Sequence, residues 1–222
     1  MKTQHRQSTA KRKPQKSGKR AENKERTRKA ILRAALDLFD KQGFYRATTR
    51  SICRKAGIAE GTLFNYFRTK EDLALCFFEE ELADLTDWFR REKRLRQAPL
   101  PEKLFAIIHQ HLERIGPHES FIGAVYLRAL HPASKLNLLS LESQAQNLRY
   151  LRFIHEILSQ AEAEREIPKV GEIGAYAFAL FHLAIITYWL QDSSPGKGKT
   201  LALLDRCLNL ASSFLKRGGW EW

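Results

Sequence analysis

Apolar residues along this chain recur almost everywhere at three- and four-residue spacing, and no stretch alternates with the two-residue period of a half-buried strand. From Asn23 to Gln42, Ala30, Ile31, Ala34, Ala35, Leu38 and Phe39 form one stripe, and Gly43 is placed to end that helix. Ile52, Cys53 and Ala56 form the inner face of a short second helix. Thr49 suits its N-cap, and Gly57 supplies the positive φ of a tight break. From Ile58 a third short helix would bury Ile58, Leu63 and Phe67 and turn Glu60, Thr62, Asn65 and Tyr66 outward. Lys70 to about Lys93 reads as a longer amphipathic helix carrying Leu73, Phe77, Leu82, Leu85 and Phe89, with Glu71 and Asp72 at the positive end of its dipole. After Pro99 and Pro101, helical patterns follow at about 101–115, 120–130, 133–164, 169–192 and 198–216. They are punctuated by Gly116-Pro117, His131-Pro132, Ile167-Pro168 and Ser194-Pro195-Gly196.

The short third helix presents a small polar face, which suits a DNA major groove about 12 Å wide. Charge supports that direction. The net +13 is uneven: residues 1–70 carry +15 and residues 71–222 carry −2, so the basic excess sits wholly with the short helices. Residues 1–20 hold eight Lys or Arg and no acid, which reads as a mobile basic arm, either lying on phosphates or merely solvated.

The segment from Thr49 to Leu73, TRSICRKAGIAEGTLFNYFRTKEDL, resembles the reading unit of TetR-type (tetracycline-repressor-like) bacterial transcriptional regulators. Thr49, Ile52, Ala56, Gly57, Gly61, Thr62, Leu63, Tyr66, Phe67, Lys70 and Leu73 stand as that pattern asks. Cys53, Ile58 and Phe64 depart from its usual Ala, Val and Tyr. The resemblance implies an all-α fold with an N-terminal three-helix helix-turn-helix DNA-binding domain and a C-terminal helical ligand-binding and dimerisation domain. The expected boundaries are a disordered basic arm over 1–22, the DNA-binding domain over 23–69, the effector-binding and dimerisation domain over 70–217, and a tail over 218–222 that holds Trp220 and Trp222.

On the reading unit, Thr62, Asn65 and Glu60 are the candidates for base edges, with Gly61 among the DNA-binding residues. Thr49, Arg50, Tyr66 and Lys70 are the candidates for phosphates. Two stripes at the C-terminal end suggest pairing of two copies: Ile173, Tyr176, Ala177, Leu180 and Ala184, and then Leu201, Leu204, Leu208, Ala211 and Leu215. The resemblance implies that these helices make the homodimer, and that a small apolar or aromatic effector binds in the body and releases a repressor from a palindromic operator. The body's aromatic residues and histidines, Phe105, Phe121, Tyr126, Phe153, His155, Phe178 and His182, are the candidates to line that pocket.

Other classes find little in the sequence. Cys53, Cys76 and Cys207 are odd in number and without CxxC spacing, so neither a disulfide framework nor a zinc site is expected, and they fit a reducing cytoplasm. His109 and His111 point about 200° apart on a helix and cannot share a metal. There is no G-x-S-x-G elbow, phosphate-cradling glycine loop or deaminase zinc pattern, so neither catalysis nor a cofactor is expected. No run of about 18 apolar residues stands out, which speaks against a membrane span. The competing reading is a basic protein that binds DNA without regard to sequence.

Overall fold

Helix termini set the architecture, because each one must find partners for its free backbone groups. The computed structural model describes residues 16–129 and 141–216, and every regular element among them is helical. The head comprises α1 (Lys16–Gln42), α2 (Thr49–Ala56) and α3 (Glu60–Phe64). Helix α4 (Lys70–Arg91) leads into the body, which is made of α5 (Lys93–Arg96), α6 (Leu100–Ile115), α7 (Glu119–Ala129), α8 (Leu141–Ala163), α9 (Gly171–Gln191) and α10 (Gly198–Lys216).

Two sequence expectations about termini are corrected. Residues 16–22 belong to α1 and not to a disordered arm; Lys16, Lys19, Arg20, Ala21 and Glu22 are good helix formers and outweigh Ser17 and Gly18. Residues 1–15 and the tail beyond 216 lie outside the described residues. Thr48, not Thr49, caps α2. Its hydroxyl accepts from the Ser51 amide at 3.1 Å, while Ser51 Oγ accepts from the Thr48 amide at 3.1 Å. Thr48 has that hydroxyl partner three residues on, whereas Thr49 would face Ile52. At the other end Gly57 takes φ 69°, and its N–H returns to the Arg54 carbonyl. Thr69 and Asp72 form the same reciprocal box at the start of α4.

The head core is built from Ile31, Ala35, Phe39, Phe44, Ile52 and Leu63, and it does not stop at the head. Phe121 of α7 stacks on Phe39, with ring centroids 5.0 Å apart, and meets Phe77 and Phe78 of α4. Ion pairs from three consecutive glutamates brace the middle of α4. Glu80 holds Arg28 of α1 at 2.7 Å, Glu81 holds Arg114 of α6 at 2.8 Å, and Glu79 holds Arg149 of α8 at 2.7 Å. Asp192 organises the α9–α10 turn by accepting from the amides and hydroxyls of both Ser194 and Thr200, and these four bonds hold its carboxyl well below the usual carboxylate range.

The two C-terminal stripes part company. Along α9, Ile173 (81% exposed), Tyr176, Ala177, Leu180 (67%), Ala184 and Tyr188 face outward, while Ala175, Phe178, His182, Ile185 and Trp189 are buried. On α10 the expected pairing stripe is largely the inner one. Leu204 is fully buried and Leu208 nearly so, Leu201 and Leu215 are half-buried, and only Ala211 is open. The outward apolar residues of α10 are Leu210 (71% exposed) and Phe214. Apolar on both sides, α9 is the one helix among the described residues long and apolar enough to cross a membrane, at mean hydropathy 1.7. Glu172, Tyr176, His182 and Thr187 break α9 into short apolar runs without lowering its average much.

Candidate nucleic-acid interface

Helix α3 is only five residues long, and its orientation is set from within. Leu63 is fully buried and Phe67 nearly so, which anchors the inner side. Glu60, Gly61, Phe64 and Asn65 are therefore exposed, with Thr62 and Tyr66 half-buried at the edge. Asn65 closes the helix as its C-cap, so its amide group stands at the end of the polar face. The turn before α3 is held by the Ile58 amide donating to the Cys53 carbonyl at 3.0 Å.

Arg50 and Glu60 are drawn together rather than presented separately. Arg50 Nε donates to Glu60 Oε1 at 2.8 Å across the gap between α2 and α3. The bond raises the guanidinium's pKa, and it gives the carboxylate expected to accept from a cytosine a guanidinium partner instead. Lys70, expected to meet phosphate, also has partners within the head. Its Nζ donates to the carbonyls of Phe44 at 2.8 Å and Tyr45 at 3.2 Å and sits 5.0 Å from the Phe44 ring centroid. Two of its three N–H groups are thus committed to the turn after α1, and burial lowers its pKa. Thr49 is half-buried in the first turn of α2.

The seven expected effector residues do not come together. Phe121 belongs to the shared core of head and body; Phe153 packs edge-on against Phe89 of α4; Phe105 stacks on His109. His155 bonds Ser159, and Tyr126 bonds Thr187. Neither described cleft is lined by any of the seven. One, of about 1190 Å³, lies between α1 and α3; the other, of about 340 Å³, lies around Glu162 and Pro168.

Phe178 and His182 do mark a polar centre that periodicity could not find, since it draws on three helices. His182 Nδ1 meets the hydroxyl of Tyr150 from α8, and His182 Nε2 lies 3.0 Å from His111 Nδ1 of α6. Burial pushes His182 well below its ordinary pKa. Burial and the neighbouring Arg114 lower His111 to about 4, and burial pushes the Tyr150 hydroxyl up. All three are neutral at pH 7. With the Tyr150 hydroxyl donating, His182 carries its proton on Nε2 and donates to His111, so the chain is internally satisfied. No group of three or more potential metal ligands occurs among the described residues.

A capped helix, a glycine turn and a short outward polar helix on an all-helical body define a helix-turn-helix protein. Residues 31–75 match the model of bacterial regulatory proteins of the tetR family, and residues 103–221 match the tetracyclin repressor-like C-terminal domain. The chain belongs to the tetR family of bacterial regulatory proteins. It is similar to the fatty acid metabolism regulator protein of Bacillus subtilis (strain 168), 28% identical over 130 residues, which are 58% of each chain. It is also similar to the HTH-type transcriptional repressor KstR2 of Mycolicibacterium smegmatis, 34% identical over 91 residues, 40% of this chain and 42% of the relative. The matched region thus spans less than two thirds of either relative. Among solved structures, the fold resembles FadR from Bacillus subtilis in complex with stearoyl-CoA, with TM-score 0.65 and 21% identity over 83% of this chain and 97% of that one. It also resembles Thermus thermophilus FadR in complex with lauroyl-CoA, with TM-score 0.64 and 24% identity over 82% and 93%.

Proposed function

We propose that this protein is a homodimeric, sequence-specific DNA-binding repressor, acting in the cytoplasm, that leaves a palindromic operator when a small molecule with an apolar body binds among its central helices. The observation that carries the reading is the outward face of α3, where Glu60, Thr62 and Asn65 stand over a buried Leu63 and Phe67 on the basic half of the chain. One five-residue helix touches too few base pairs to select a site, so a twofold pair is needed to read two half-sites. The exposed apolar residues of α9, joined by Leu210 and Phe214 of α10, supply a self-complementary face for that pairing. In this reading Asn65 and Thr62 address base edges, and Arg50, steered by Glu60, and Tyr66 hold the backbone.

Two of the similar structures hold acyl-CoA, which makes long-chain acyl-CoA the first effector class to try. The experiment is selection of the full chain on random duplex DNA at physiological salt, followed by addition of stearoyl-CoA and lauroyl-CoA. A twofold-symmetric sequence preferred by a factor of about 10³ or more is expected, with release by one of the two. Retention of all sequences alike would replace the regulator with a sequence-independent DNA binder.

A further inference from the structure

The large open cleft of the head has a second wall. Helix α1 overruns the head core by the residues before Ile31, and the stretch 16–27 alone projects about 18 Å at 1.5 Å per residue. The same face that buries Ile31, Ala34 and Leu38 continues outward as Thr27, Lys24, Asn23 and Arg20, at helical spacing. There it stands across the cleft from Thr62, Asn65 and Tyr66. No residue lining the cleft is acidic. The acids of this part of α1 lie on its other faces, and Glu25 is engaged with Arg28 and Lys29. Arg28, one turn nearer the body, is taken up by Glu80 and Cys76, whereas Arg20 and Lys24 are exposed and have no ion-pair partner among the described residues.

We propose that this cleft receives one sugar–phosphate strand of the duplex, with Arg20 and Lys24 of α1 clasping from one side the phosphates that Tyr66 meets from the other. The inference rests on the DNA-binding reading above and extends it to a helix outside the helix-turn-helix. An acid-free cleft with two exposed cations on one wall and hydroxyl groups on the other has the chemistry of a phosphodiester chain. Its place beside α3 fits the strand that borders the groove α3 enters, because a helix in the major groove is flanked by backbone on both sides.

The test is the salt dependence of binding to the duplex enriched by selection, compared for the wild type, R20Q/K24Q and R26Q. Arg26 is an exposed cation of the same helix that does not line the cleft. The double substitution is expected to flatten the slope of log K against log salt by about 1.8 per bound subunit and to weaken binding by on the order of tenfold at physiological salt. R26Q is expected to leave the slope near that of the wild type. Circular dichroism should show all three equally helical, since the altered side chains are exposed. A wild-type slope that R20Q/K24Q leaves unchanged, or that R26Q flattens as much per charge, overturns the clasp and leaves the regulator reading standing. If the wild type enriches no duplex, the reading beneath it falls and the clasp with it.

Discussion

The head and the α9–α10 hairpin are both built from apolar stripes at helical spacing, yet only in the head does the stripe tell which way each helix faces. There the helices are short, each has one apolar side, and glycines or threonines fix their ends, so Leu63 and Phe67 can lie only inward. In the hairpin α9 is apolar all round, and α10 carries two apolar lines, Leu204 with Leu208 and Leu210 with Phe214. Periodicity reports that a line exists; a neighbour decides what covers it.

The sharpest way to break this comparison is to exchange the two lines of the hairpin. Leu204→Ala should cost about 2–5 kcal/mol of unfolding free energy without changing the oligomeric state. Leu180→Glu should convert the proposed dimer to a monomer in sedimentation while the helical content stays. The reverse pattern would restore the sequence expectation that Leu204 belongs to the pairing face.

A more modest effect is expected from pH, and it probes the body's polar centre. His111 and His182 are neutral in the fold, with folded pKa values below the ordinary value of about 6.5. As pH falls below 6.5 the unfolded chain binds protons that the folded chain refuses. Their contribution is therefore complete above about pH 6.5 and is lost progressively toward pH 4. Denaturant midpoints should drop between pH 7 and pH 5, and H111F/H182F should flatten that drop; an equal drop in the double variant would show that other groups dominate this window.

The smallest effect sharpens the role of Lys70. Since its ammonium holds the Phe44 and Tyr45 carbonyls, Lys70→Ala should lower head stability by about 1–2 kcal/mol, with a salt slope close to that of the wild type. A slope flattened by about 0.9 per subunit, with stability unchanged, would return Lys70 to the phosphates.

These cases mark how far the sequence could be read. The all-helical class, α2 to α4 and the outward residues of α3 were legible because each follows from local chemistry: a cap, a positive-φ glycine, a one-sided stripe. The sequence points to Thr49 where Thr48 is the cap, because adjacent threonines differ only in the residue three positions on. The Arg50–Glu60 pair, the turning in of Lys70 and the meeting of residues 111, 150 and 182 were not legible, because each joins parts of the chain whose proximity only the packed fold creates. The scattering of the aromatic residues has the same origin. Phe121 and Phe153 are aromatic for the core's sake, and composition cannot separate a ring that packs from one that receives a ligand.

Phe121 also bears on dissection of the molecule. A fragment cut after α4 would carry Phe39, Phe44, Phe77 and Phe78 with one flank stripped bare, and those rings would turn to aggregation or to another fragment for cover. The reader cannot be lifted out as a portable module; grafting it onto a new sensor requires carrying α7 along with it.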